Sequence, residues 1–176
     1  MLFENQHFAI HVDLLYIYQT IYNHSVDQHV HLMIVQYLQI YISMHGRLHT
    51  IDRNEELYDF QKKYFEKSKY GDMILQHVGN ALEIIPTLEE KFDLFFIDAY
   101  KSNYSNYFNL VIDKMNPGGV ILSDNVLWSG KVVEELNPKD IDTKALLKYN
   151  KLVNEDVRVE TVLLPIRDGL TISRVK

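Results

Sequence analysis

The chain has 176 residues, a net charge of −6 and no cysteine. That length suits one domain with a sizeable core, and the lack of thiols excludes disulfides, thiolate metal sites and cysteine nucleophiles. The acidic balance, with no basic cluster, argues against a stable nucleic-acid surface but leaves room for brief contact with an RNA substrate.

Residues 1–45 contain no Gly, Pro, Lys or Arg and hold six of the eight His. A stretch of that length without turn punctuation is unusual when it must join several elements. Its start, "MLFENQHFAIHVD", carries Glu4 and Asp13 and no Lys or Arg, unlike a signal peptide. No apolar run reaches the ~18 residues of a membrane span, so the expected location is a reducing cytoplasm with no membrane partner. A helix is expected over 10–22, while "HLMIVQYLQIYISM" (31–44) reads as strand or helix. His7 and His11 are spaced i, i+4, and His29 and His31 lie two apart, spacings that can bind metal. Without acidic partners in a clear motif, histidines with no metal role are the expectation.

From Gly46 onward the chain alternates in type. "RLHTID" (47–52) is a short strand ending in Asp52. "NEELYDFQKKYFEKS" (54–68) is a helix that Asn54 can cap, with Glu55 and Glu56 in its first turn and Lys67 in its last. "MILQHVG" (73–79) is a strand and "ALEIIPTL" (81–88) a short helix interrupted by Pro86. "FDLFFID" (92–98) is a nearly continuous apolar run, as in a parallel sheet covered on both faces. "NYSNYFNLVIDKM" (103–115) is a helix stopped by "NPGG", "GVILSDN" (119–125) a buried strand and "KALLKYNKLVNED" (144–156) a helix. "RVETVLLPI" and "LTISRVK", separated by "RDG", form a closing hairpin. Repeated βα units imply an α/β fold with a mainly parallel sheet and an antiparallel edge.

In open α/β sheets ligands bind beyond the C-terminal strand ends. Three such ends carry acids here, Asp52, Asp98 and Asp124, the last followed at once by Asn125. A lone strand-end Asp most often caps a helix or bonds a turn amide. Asp98 with Asp124 and Asn125, on consecutive strands, offers hard oxygen ligands for Mg²⁺ or another divalent cation. Lys101, three residues after Asp98, is a solvated lysine on the bland reading. Beside a metal, its amine could take a proton from a substrate hydroxyl.

"FDLFFIDAYKSNY" together with "MNPGGVILSDNVLWSGKV" closely resembles the cation-dependent, S-adenosylmethionine-dependent O-methyltransferases, the group of catechol and caffeoyl-CoA methyltransferases and their bacterial relatives. The resemblance runs from about Gly46 to Lys176. It implies a Rossmann-like methyltransferase fold with helices on both faces of the sheet, working as one unit over 1–176. It places Asp98, Asp124 and Asn125 on the metal ligands and Lys101 on the general base. Asp52 falls on the acid that grips the cofactor ribose. Gly79, Asn80 and Ala81 fall on the loop beside the adenine, with Asp98 and Tyr100 also toward the cofactor. Trp128 falls on an aromatic wall for the acceptor ring, its alternative being a core or dimer contact. The implied cofactors are S-adenosylmethionine and Mg²⁺, the implied acceptor a small catechol-like hydroxyl compound, with hydroxylated tRNA nucleosides also open, and the implied assembly a homodimer.

Two departures from the family pattern stand out. Tyr100 replaces a second acid. Before "LHTID" the family carries a first strand ending in an acidic Gly-rich loop, and "QHVHLMIVQYLQIYISMHG" has no glycine before its last residue. Residues 1–45 therefore read as a divergent or disrupted N-terminal region, by a shift of reading frame or by true divergence, with residues 32–42 the expected source of a replacement central strand. The rival readings are a non-catalytic methyltransferase-like protein, such as a fragment or dimerisation module, and a phospho-acceptor receiver domain, against which "DNVLWSG" argues.

Overall fold

The computed structural model of the chain describes residues 7–12, 46–69 and 71–176, the first of these by its backbone alone. Among the described residues seven strands form one sheet. They are β1 (His7–Val12), β2 (Arg47–Asp52), β3 (Ile74–Val78), β4 (Phe92–Asp98), β5 (Met115–Asp124), β6 (Val159–Leu164) and β7 (Leu170–Val175), in the spatial order β3-β2-β1-β4-β5-β7-β6. The first five pair in parallel, and β7 runs antiparallel to both β5 and β6. The expected parallel sheet with an antiparallel C-terminal hairpin is thus present.

Among the described residues four helices flank the sheet: α1 (Tyr58–Glu66), α2 (Ala81–Thr87), α3 (Tyr104–Val111) and α4 (Ile141–Glu155). Two of them, α2 and α4, start on a side-chain cap. Asn80 accepts from Leu82 N ahead of α2, and Asp140 accepts from Thr143 N ahead of α4. Asn54 caps a 3-10 turn, Glu55–Leu57, that leads into α1. On α3 the buried residues are Tyr104, Tyr107, Phe108 and Val111, one helical stripe. That stripe meets Ile85 of α2, Leu146 and Tyr149 of α4, and Phe95, Ile97 and Ile121 of the sheet in the main core. Each fully buried side chain of this size contributes about 1.5–3 kcal/mol. The opposite face of β2 and β3 lies under α1, where Gln61 meets Asp52 and Gln76.

The structure corrects the N-terminal reading. The centre of the sheet is occupied by His7–Val12, paired to β2 on one side and β4 on the other, so the central strand does not come from 32–42. Residues 10–12 are strand, not the start of a helix; the rest of the expected 10–22 helix, the 31–44 segment, His29 and His31 lie outside the described residues. His7 and His11 are four apart on a strand, which separates their Cα atoms by about 13 Å, so helical i, i+4 spacing does not apply to them. A smaller difference concerns "NPGG". The helix ends at Val111, a 3-10 turn covers Ile112–Lys114, and the ladder between β4 and β5 shifts from Phe92↔Met115 to Leu94↔Val120. Asn116–Gly119 is therefore a bulge inside β5, tied down by Asn116 Nδ2 donating to Asp93 Oδ1 at 2.9 Å.

Candidate active site

Asp98 and Asp124 are the last residues of adjacent parallel strands, one step beyond the Ile97↔Ser123 pair. Asn125 then turns the chain with a left-handed backbone (φ 57°), and its own N–H donates to Asp124 Oδ1 at 2.8 Å. Lys101 opens the 3-10 turn that precedes α3 and is only 5 % exposed. Its Nζ lies 3.6 Å from Asp98 Oδ1, 3.5 Å from Asn125 Oδ1 and 3.3 Å from the Asp124 carbonyl, and it donates to the Tyr104 hydroxyl. Tyr104 OH in turn donates to the Asp124 carbonyl at 2.8 Å.

Burial pushes the Lys101 pKa down, against the pull of Asp98, Asp124 and Asp168. Burial also pushes the Asp124 carboxyl up and Asp98 adds to that, while the Asn125 N–H, Lys101 and Arg167 oppose it. Among the described residues no three His, Asp or Glu side chains gather as a metal cage. The candidate donors at these two adjacent strand ends are two carboxylates and one carboxamide, with Asp98 Oδ1 and Asn125 Oδ1 both near Lys101 Nζ. That donor set fits a hard divalent cation that keeps several waters or substrate oxygens, because such an ion needs only one or two carboxylates from the protein.

The residues expected to face the cofactor sit at the same end of the sheet. Gly79 N donates to the Asp52 carbonyl at 2.7 Å, with Gly79 at φ 141°, so the ends of β2 and β3 form one ledge. Asn80 is engaged in capping α2 and donates to Glu83, and Ala81 is buried beneath it. Asp52 is 2 % exposed. Its Oδ1 accepts from Asn54 N at 2.9 Å and its Oδ2 from Gln61 Nε2 at 2.8 Å, and burial raises its pKa. A carboxylate oxygen keeps a second lone pair, so Asp52 retains the capacity to accept ribose hydroxyls. Access to it requires its cover to move. The first strand is followed directly by "DLLYIYQT", which has an acid, Asp13, but no glycine.

Tyr100 is exposed, with the Arg53 guanidinium 5.6 Å above its ring. Trp128 packs against the core cluster and has the Lys101 and Lys131 ammonium groups 5.7 and 5.9 Å from its ring. The structure also brings in residues that the sequence reading did not assign. Tyr104 sits at i+3 from Lys101 within the "K--Y" pattern, a legible signal. Asp168 and Arg167 sit in the β6–β7 turn, where "RDG" read only as a hairpin turn. A separate cleft of about 680 Å³ lies along edge strand β3, lined by His49, His77 and Glu90 among others and distant from Asp98 and Asp124 in the sheet.

The sequence model of the O-methyltransferase family matches residues 31–176, fifteen residues further toward the N-terminus than the motifs alone. Caffeoyl-CoA O-methyltransferase 1 of Eucalyptus globulus is 34 % identical over 142 residues, covering 73 % of this chain and 56 % of the relative. Caffeoyl-CoA O-methyltransferase 1 of Arabidopsis thaliana is 35 % identical over 143 residues, covering 73 % and 54 %. The chain thus spans a little over half the length of these curated relatives. Among solved structures, the O-methyltransferase from Bacillus cereus in complex with SAH superposes with a TM-score of 0.76 at 25 % identity, covering 98 % of this chain and 74 % of the other. By sequence and by fold, the chain belongs to the O-methyltransferase family.

Proposed function

We propose that this chain transfers the methyl group of S-adenosylmethionine to a hydroxyl of a small catechol-like acceptor, with Mg²⁺ or another divalent cation at the site. The observation that carries the reading is the buried Lys101 amine, set within 3.6 Å of Asp98 and 3.5 Å of Asn125 at the ends of two adjacent strands. Asp98, Asp124 and Asn125 would hold the cation, which supplies a lowered pKa to a bound hydroxyl. Lys101, its own pKa lowered by burial, accepts the hydroxyl proton at Nζ. The acceptor oxygen forms its bond to the methyl carbon as the carbon–sulfur bond breaks, and the electron pair stays on sulfur in S-adenosylhomocysteine. Asp52 serves the ribose, Gly79, Asn80 and Ala81 the adenine side, Asp98 and Tyr100 the remainder of the cofactor, and Trp128 the acceptor ring. Residues 1–176 act as one unit, and a homodimer is the proposed assembly.

Calorimetry with S-adenosylhomocysteine, with and without Mg²⁺, tests this reading. Micromolar binding is expected. Absence of binding at millimolar ligand would favour the second reading, a non-catalytic member of the family, for which the sealed Asp52 and the glycine-free stretch after β1 speak. With binding in hand, methyl transfer to catechols, caffeoyl-type thioesters and hydroxylated tRNA nucleosides identifies the acceptor class.

A further inference from the structure

Four non-glycine residues among those described have a left-handed backbone, and all four lie in two neighbouring loops. Asn125, Trp128 and Ser129 (φ 57°, 51° and 55°) belong to the loop after β5, and Arg167 (φ 51°) to the β6–β7 turn. Such residues are strained and persist only where their surroundings over-determine them. The surroundings here are residues 168 and 169. Val126 N donates to the Gly169 carbonyl at 3.2 Å and Leu127 N to the Asp168 carbonyl at 2.9 Å. Ser129 N donates to the Asp168 carboxylate at 2.5 Å. Gly169 completes the fit, because a Cβ there would lie 2.5 Å from Leu127 Cγ.

We propose that Asp168 is a positioning residue that holds Trp128 in place as the wall of the acceptor pocket. The backbone bonds to residues 168 and 169 bring the two loops together on the entry side of Trp128. The carboxylate bond to Ser129 N fixes the exit side, so Trp128 is clamped between Leu127 and Ser129. The clamp sets the indole where Lys101 and Lys131 stand 5.7 and 5.9 Å from its ring. It also fixes the loop that begins with Asn125. Asp168 carries no catalytic proton; its charge favours the protonated Lys101 amine, and its hydrogen bond to Ser129 N acts through the position of the ring. The proposal builds on Trp128 being the acceptor wall, as set out above.

Trp128 is the sole tryptophan of the chain, so its fluorescence reports the loop without any reaction. Acrylamide quenching and emission maximum are measured on the full chain for the parent, Asp168→Ala and Asp168→Asn. Thr161→Val serves as control, since it removes hydrogen bonds to Val153 and Ser173 away from the loop. Asp168→Ala is expected to raise quenching and shift the emission to the red. Asp168→Asn stays near the parent, because its carboxamide oxygen still accepts the Ser129 N–H. In turnover assays with caffeate, Asp168→Ala raises the acceptor KM about tenfold and leaves the S-adenosylmethionine KM unchanged, the pattern of a misplaced binding wall. Quenching of Asp168→Ala equal to the parent, or an equal change in Thr161→Val, overturns the proposal. If no variant and no parent shows methyl transfer, the proposed function fails, and the fluorescence comparison still decides whether Asp168 fixes the ring.

Discussion

Lys101 shows how much chemistry one residue can concentrate. A lysine 5 % exposed is tolerable because four oxygens, from Asp98, Asn125, Asp124 and Tyr104, surround its amine. Two of those oxygens, Asp98 Oδ1 and Asn125 Oδ1, belong to proposed cation ligands, while Asp124 offers Lys101 its main-chain carbonyl. Replacing Asp124 by Ala is expected to abolish Mg²⁺-dependent methyl transfer; turnover equal to the parent in a Mg²⁺ titration would refute the ligand role. Asp52 gives a stability prediction. Gln61→Leu removes one donor from a buried carboxylate and also breaks the link to Gln76, so urea unfolding should register a loss of about 1–3 kcal/mol. His77 gives a pH prediction. Burial lowers its pKa from 6.5, with Glu90 opposing, so the unfolded chain takes up this proton more readily than the folded one. The corresponding stability is present above pH 6.5 and is lost as pH falls below it. His77 also shares a 3.1 Å contact with His49 in the core of β2, so His77→Gln should flatten the urea midpoint against pH in that window; a curve parallel to the parent would show that His77 is not the group responsible.

At the scale of elements, α3 and β4 were legible because their signals are local. The stripe Tyr104, Tyr107, Phe108, Val111 repeats with the helical period, and "FDLFFID" occupies the seven residues expected of it. The N-terminal strand was not legible. "HFAIHV" is too short for its pattern to stand out, and its membership in the sheet depends on pairing with β2 and β4, strands that begin forty and eighty-five residues later. Because both edges of β1 carry ladder bonds, Ile10→Pro must remove an interior hydrogen bond. The expected result is loss of the cooperative unfolding transition, or a stability loss of about 3 kcal/mol or more, in a denaturant melt. An unchanged melt would mean that β1 does not bind the sheet as described. The bulge at Asn116–Gly119 teaches the complementary lesson: "NPGG" reads as the stop of a helix over 103–115, but the helix ends at Val111 and only the β4 ladder decides that strand pairing begins at Met115 and resumes after the bulge.

For the whole molecule, the sheet order β3-β2-β1-β4-β5-β7-β6 gathers Asp52, Asp98 and Asp124 at one end although they lie far apart in the chain. A ligand bound across that end stabilises the folded state by mass action, about 2.7 kcal/mol at one hundred times its Kd. S-adenosylhomocysteine should therefore raise the thermal midpoint, and a midpoint flat up to millimolar ligand would count against the cofactor assignment. The sequence by itself determined the alternation of strands and helices, the strand-end acids and the family resemblance, since each is written in contiguous residues whose periodicity and chemistry act locally. Only the tertiary structure decided three further things: which segment fills the centre of the sheet, that Asp52 is buried with Gln61 donating to it, and that Asp168 reaches Ser129 across thirty-nine residues. These depend on pairing and packing between distant segments, and no pattern within either segment specifies its partner.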